Sequence, residues 1–281
     1  MSDRGKFITY YLRLIGVVGP MAEALSRKGE GLFSSAKSQA IEAEASPLAE
    51  QNQAIAEDIS PLLSDEAVDS KKHISTEFAP TEVASIEAVA SELQSMPTDL
   101  AGLRAAASIC TACELSSTRN QVVFGIGAQH PDVLFIGEAP GEQEDIQGEP
   151  FVGRAGQLLN QMLAAVQWSR DNVYIMNVIK CRPPKNRDPK QEEVQACSRW
   201  FDAQWELLQP KVICLLGRVA AQRVLGSDAP LSALRGRWHE YRGVPVWVTY
   251  HPAYLLRSPV SKARAWQDMR ELLGRCRSLK E

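Results

Sequence analysis

Four short runs in this chain, residues 133–137 (VLFIG), 173–177 (VYIMN), 212–217 (VICLLG) and 246–250 (VWVTY), are apolar almost throughout and do not alternate with polar residues. A strand with one wet face alternates, so uniform apolarity predicts strands buried on both faces. Between them lie helical patterns at 153–168 and 189–209, with a further one at 217–226. Strand, helix, strand, helix predicts right-handed parallel crossovers. The expected fold is α/β: a three-layer α/β/α domain around a central four-stranded, mainly parallel sheet, with ligand loops at the carboxyl ends of the strands.

The domain is expected to occupy residues 96–281, opening on the helical TDLAGLRAAASICTACEL, where Thr98-Asp99 can cap. Residues 28–95 are rich in Ala, Glu, Ser, Gln and Asp, lack Trp and Tyr, and contain Pro47, Pro61 and Pro80, which predicts an acidic, disordered linker. Residues 1–27 carry a short amphipathic helical pattern broken near Gly16 and Gly19-Pro20. That segment reads either as a partner-docking peptide on a tether or as a helix packed on the main domain. Charge divides the chain too: residues 1–100 hold 8 Lys/Arg against 16 Asp/Glu, whereas residues 151–281 hold 21 against 11. The basic half is either a solvated surface or a footprint for a phosphate backbone. No apolar run reaches the roughly 18 residues of a membrane span, and no secretory signal is evident, so a cytoplasmic protein is expected.

At the four strand ends stand Gly137-Glu138-Ala139-Pro140-Gly141, Asn177, Gly217-Arg218 and His251-Pro252. Singly, Asn177 could cap a turn, His251 could be a satisfied residue before proline, and Glu138 could open a helix. Together a carboxylate, an amide and an imidazole at successive strand ends suit a pocket for a planar heterocycle.

Six cysteines without a secretory signal argue against a disulfide framework. Cys110 and Cys113 form C-x2-C, and Cys181 and Cys197 flank a Pro-rich basic loop. Four thiols with no histidines at finger spacing leave zinc or an iron–sulfur cluster, or else a redox dithiol beside two core cysteines. Cys214 and Cys276 read as packing residues.

The blocks GEAPGEQED, GEPFVGRAGQLL, NVIKCRPPKNRDP and YHPAYLLRSP, with the four cysteines in this order, resemble the type-4 uracil-DNA glycosylases. The resemblance spans about residues 100 to 275. It implies a [4Fe–4S] cluster on Cys110, Cys113, Cys181 and Cys197. It further implies a uracil pocket in which Glu138 and the Ala139 backbone take part, Glu144 helps hold the site, Phe151 stacks on the base, Asn177 reads its edge and His251 faces O2. Arg182, Lys185, Arg187 and Lys190 are then expected to meet phosphates, and Leu255, Leu256 and Arg257 to form the wedge that props open a duplex after base flipping.

Family 1 enzymes carry a water-orienting aspartate where this chain has Ala139. The implied path is therefore dissociative, with His251 and Glu138 as catalytic residues. The partner is expected to be uracil-containing DNA, single- or double-stranded, for a monomeric enzyme. A replication or repair protein is the expected partner of the N-terminal helix. Two rival readings are a non-catalytic iron–sulfur nucleic-acid-binding module and a glycosylase of altered base preference.

Overall fold

A computed structural model describes residues 96–279; the expectations for residues 1–27 and 28–95 lie outside the described residues. Six strands form one sheet: β1 (Ile126–Gly127), β2 (Val133–Gly137), β3 (Tyr174–Asn177), β4 (Val212–Leu216), β5 (Trp238–Tyr241) and β6 (Val244–Thr249). Their order is β1-β3-β2-β4-β6-β5. The four expected strands are the central parallel ones, and every residue of β2, β3 and β4 is buried. Two antiparallel edge strands complete the sheet. They went unseen in the sequence because β1 is two residues long and β5 alternates exposed and half-buried positions. Arg242 and Gly243 both take positive φ between β5 and β6, which is how a tight two-residue hairpin matches the strand twist.

The helices are α1 (Leu100–Ser108), α2 (Glu142–Gln147), α3 (Arg154–Ala165), α4 (Gln191–Leu208), α5 (Arg218–Leu225), α6 (Leu231–Leu234), α7 (Pro252–Arg257) and α8 (Lys262–Ser278). Asp99 caps α1 by accepting from the Gly102 N–H at 2.8 Å. On α4 the buried positions Glu193, Cys197, Trp200, Phe201, Gln204, Trp205 and Leu208 recur every three or four residues. That stripe packs with Leu103 and Ala107 of α1 and with α5 against Leu134, Ile136, Ile213, Leu215, Val246 and Val248 of the sheet. Helix α8 packs on β4 and β6. The chain steps from β2 to β3 in one direction and from β3 to β4 in the other, so right-handed crossovers put α3 and α4 on opposite faces. The reversal leaves a crevice beyond the carboxyl ends of the strands, as in other open α/β sheets.

One buried ionic cluster fastens α8 beneath β6. Asp268 accepts from Arg235 Nε at 2.8 Å and from Thr249 Oγ1 at 2.6 Å, and its side chain is almost fully buried. Arg235 also donates to the Arg264 carbonyl at 3.0 Å. Removing one partner strands the others without a counter-charge. Asp268→Ala is expected to cost about 3–5 kcal/mol in urea unfolding; a loss under ~1 kcal/mol would show that the cluster is not part of the packing.

Candidate active site

The carboxyl ends of three of the four parallel strands, β2, β3 and β6, open on one cavity of about 390 Å³, whereas Gly217 and Arg218 after β4 do not line it. Its lining includes Glu138 and Ala139 after β2, Asn177 at the end of β3, and His251 after β6, together with Glu144, Phe151, Arg187, Asp188 and Arg257. Six residues predicted for the base pocket, Glu138, Ala139, Glu144, Phe151, Asn177 and His251, thus converge on a single crevice.

Space in that crevice is made by glycine. Gly137 pairs with Asn177 across β2 and β3. A Cβ at Gly137 would lie 2.4 Å from Asn177 Oδ1 and 2.6 Å from the Phe151 ring. Phe151 itself sits at φ +55°, costly for an aromatic residue, and three groups hold it there. Glu144 Oε1 accepts from the Val152 and Gly153 N–H groups, both at 2.9 Å. Arg170 donates to the carbonyls of Pro150 at 2.5 Å and Phe151 at 3.1 Å. Gly156 lets the Phe151 carbonyl approach α3, since a Cβ there would be 1.7 Å from that oxygen. Glu144 accordingly shapes the loop that carries the ring. Arg170 escaped the sequence reading, because nothing local distinguishes it from any arginine in a turn.

Asn177 is 1% exposed, and its Oδ1 has no hydrogen-bond donor among the described residues. A buried acceptor without a partner costs free energy unless a ligand supplies the donor. Its backbone carbonyl is fixed by Lys180 Nζ at 2.7 Å, and burial lowers that lysine's pKa to about 8.

His251 caps α7: Nδ1 accepts from the Ala253 N–H at 3.2 Å. The neutral ring therefore carries its proton on Nε2. Burial, reinforced by Arg257 and opposed by Glu144, lowers its pKa to about 4. Its ring lies 5.6 Å from that of Phe151, tilted by 34°. Glu138 shifts the other way, to about 7, because burial and the nearby Asp188 outweigh Arg218 and Arg223. At neutral pH the cavity thus holds a neutral hydrogen-bond donor and a carboxyl near its midpoint, two groups with separated protonation states.

The basic loop is more constrained than a set of free cations. Arg187 is clamped by both oxygens of the buried Glu193, at 2.5 and 2.9 Å, and Glu193 also accepts from the Lys190 N–H at 2.8 Å. Arg182 donates to Asn186 at 2.8 Å, Lys190 reaches Glu114 at 3.2 Å, and Lys185 sits at φ +56°. Arg257 lines the cavity, whereas Arg182, Lys185 and Lys190 do not. Leu255 corrects the expected wedge: it is 1% exposed and faces the interior from α7, so it cannot enter a duplex. Leu256, on the opposite side of that turn, is 36% exposed.

Cys110, Cys113, Cys181 and Cys197 surround a second, small cavity. Donors point at the sulfurs: Trp200 Nε1 at 3.2 Å and Arg199 at 3.5 Å on Cys110, Arg119 at 3.4 Å on Cys181, and the Lys180 N–H at 3.3 Å on Cys197. Burial pushes Cys110 up, but hydrogen bonds from Ala112, Trp200 and Arg199 outweigh it and leave the thiol lowered; burial alone dominates at Cys197, raised to about 11. Among the described residues no three His, Cys, Asp or Glu side chains form a single-ion site. Four thiols around a shared space with N–H donors fit the ligand set of an iron–sulfur cluster. Cys214 and Cys276 are buried elsewhere, in β4 and α8.

Residues 124–270, just over half of the chain, match the family model described as the uracil DNA glycosylase superfamily. Three relatives named type-4 uracil-DNA glycosylase align with the same chain. The protein of Archaeoglobus fulgidus is 41% identical over 59% of this chain and 88% of its own length. That of Sulfurisphaera tokodaii is 39% identical over 58% and 78%, and that of Thermotoga maritima 44% over 55% and 82%. The strand-end pocket, the four gathered cysteines and these alignments agree: the chain belongs to the type-4 family of the uracil-DNA glycosylase superfamily.

Proposed function

We propose that this chain excises uracil from DNA by hydrolysing the N-glycosidic bond of an extruded nucleotide, the step that opens base-excision repair of deaminated cytosine. The observation that carries the reading is the unpartnered Asn177 Oδ1 at the floor of the cavity, which the N3–H of uracil would satisfy. The amide N–H of the same side chain would then meet O4. Cytosine presents an amine at that edge and an unprotonated N3, so two polar groups would be left mispaired. Phe151 offers a ring face to the base. Thymine adds a C5 methyl group, and we assign its exclusion to Phe151 with the Glu144-held loop behind it.

As the glycosidic bond breaks, its electron pair moves into the base and negative charge grows on O2. Neutral His251 can donate from Nε2 to that oxygen without first losing a proton. Ala139 supplies no general base. Water then adds to the anomeric carbon of the sugar cation and releases a proton to solvent, and we assign Glu138, when ionised, to orienting that water and balancing the cationic charge. On the DNA side, Arg257, Arg182, Lys185 and Lys190 are assigned to phosphates, Arg187 to ordering the loop through Glu193, and Leu256 to the gap left in the stack.

The donor set supports a [4Fe–4S] cluster held by Cys110, Cys113, Cys181 and Cys197. When bound it supplies iron–thiolate bonds that tie the end of α1 to the basic loop and to α4. The docking role of residues 1–27, with 28–95 as tether, to a replication or repair protein belongs to the same proposal, as does a monomeric state.

Incubation with a uracil-containing oligonucleotide followed by alkaline cleavage should break the strand at uracil and leave thymine and cytosine intact, with or without residues 1–95; unbroken strands on both single- and double-stranded DNA would sink the reading. Glu138 gives a pH signature. Its carboxyl, with a pKa of about 7, is ionised above that value, so the single-turnover rate should fall as pH drops through about 7. Glu138→Gln should be slower and lack that limb, whereas a wild-type rate flat between pH 6 and 8 would remove Glu138 from the chemistry. His251 adds no second limb in this range, since it stays neutral down to about pH 4. For the metal centre, anaerobically purified protein should be brown and contain iron, and Cys197→Ala should lose both colour and iron; zinc in place of iron would overturn the cluster.

A further inference from the structure

Beside the cavity mouth an aromatic side chain is exposed and yet held rigidly. Tyr254 is 41% exposed on α7, the short helix that opens at His251 and also carries Ala253 and Arg257 into the cavity lining. One face of its ring stacks on Tyr250, with centroids 5.4 Å apart and planes 17° from parallel. The Arg235 guanidinium lies 4.7 Å from the centre of the Tyr250 ring, and Arg235 is itself anchored by buried Asp268.

Asp268, Arg235, Tyr250 and Tyr254 thus form a ladder running from the core to solvent. Its outermost rung is fixed through the stack of its ring on Tyr250. Exposed aromatic side chains with little conformational freedom left to lose are the ones that gain most from a stacking partner. The surroundings suit a nucleic-acid strand: Arg257 stands one turn on along α7, Leu256 and Val260 are exposed nearby at 36% and 80%, and Lys262 and Arg264 follow.

We propose that Tyr254 is a stacking platform for the nucleobase adjacent to the extruded nucleotide, terminating the Arg235–Tyr250 ladder and holding the strand in register with the cavity. This rests on the glycosylase reading, because that reading brings a strand to the cavity mouth. The platform needs the neighbouring base to be unstacked on one face, so its contribution belongs to single-stranded or locally opened DNA.

The test uses full-length protein and a fluorescent single-stranded oligonucleotide whose central deoxyuridine carries a 2′-fluorine to resist hydrolysis. Two further strands replace the base on the 5′ or the 3′ side of uracil with an abasic spacer. Tyr254→Ala should bind the complete strand ~10-fold more weakly than wild type, the loss of about one stacked base. On one of the two spacer strands that difference should vanish, because the platform has nothing to hold. Tyr254→Trp should restore affinity on the complete strand and guards against a fault in the alanine variant's folding. Equal affinity of Tyr254→Ala and wild type on the complete strand, or a loss that persists undiminished on both spacer strands, would overturn the platform. Excision of uracil by the wild type is scored separately, so a failed platform and a failed glycosylase reading give different results.

Discussion

The strand-end cavity depends on a place where a side chain cannot be. At Gly137 the last rung of the β2–β3 pairing brings the Asn177 amide and the edge of Phe151 into the volume that any Cβ would fill. The amide, the ring and the backbone can share that corner only because the residue is glycine. From this contact the rest follows: Phe151 must turn into a left-handed conformation to reach it, Gly156 must admit the Phe151 carbonyl, and Glu144 and Arg170 must hold the loop in a shape it would not keep alone.

The electrostatics of the pocket are set by burial more than by charge pairing. The same desolvation drives His251 toward its neutral form and Glu138 toward protonation, and the fixed hydrogen bond from Ala253 decides which imidazole nitrogen keeps the proton. A histidine donor that is neutral from the outset can stabilise an anion without a change of charge on the protein. On the proposed mechanism, leaving-group stabilisation needs no coordination with a separate proton transfer, which suits a site whose first motif holds alanine where a base could stand.

Much of this was legible in the sequence because parallel strands buried on both faces advertise themselves as apolar runs, and the residue after each run is placed by the fold. Asn177, Glu138 and His251 were found that way. Leu255 was misassigned because sequence adjacency to His251 says nothing about helix phase: α7 begins at Pro252, and its fourth residue, Leu255, faces inward. Arg170, Glu193 and Asp268 were invisible too. Arg170 and Asp268 act on groups far along the chain or across layers, and no local spacing marks a carboxylate or guanidinium whose partner is supplied by tertiary packing; Glu193, by contrast, holds Arg187 and the Lys190 N–H only three to six residues away. The edge strands were lost to their brevity and to the alternation of a half-wet strand.

The cavity draws its polar groups from the ends of separate strands, no two of which are joined by a short connection. Glu138, Asn177 and His251 meet only when β2, β3 and β6 are paired into the one sheet through β4. A form that has paired β2 with β3 brings Glu138 and Asn177 together but lacks His251 until β6 joins the sheet. The complete set of polar groups therefore exists only in the finished sheet, so the proposed chemistry is tied to the folded domain as a whole.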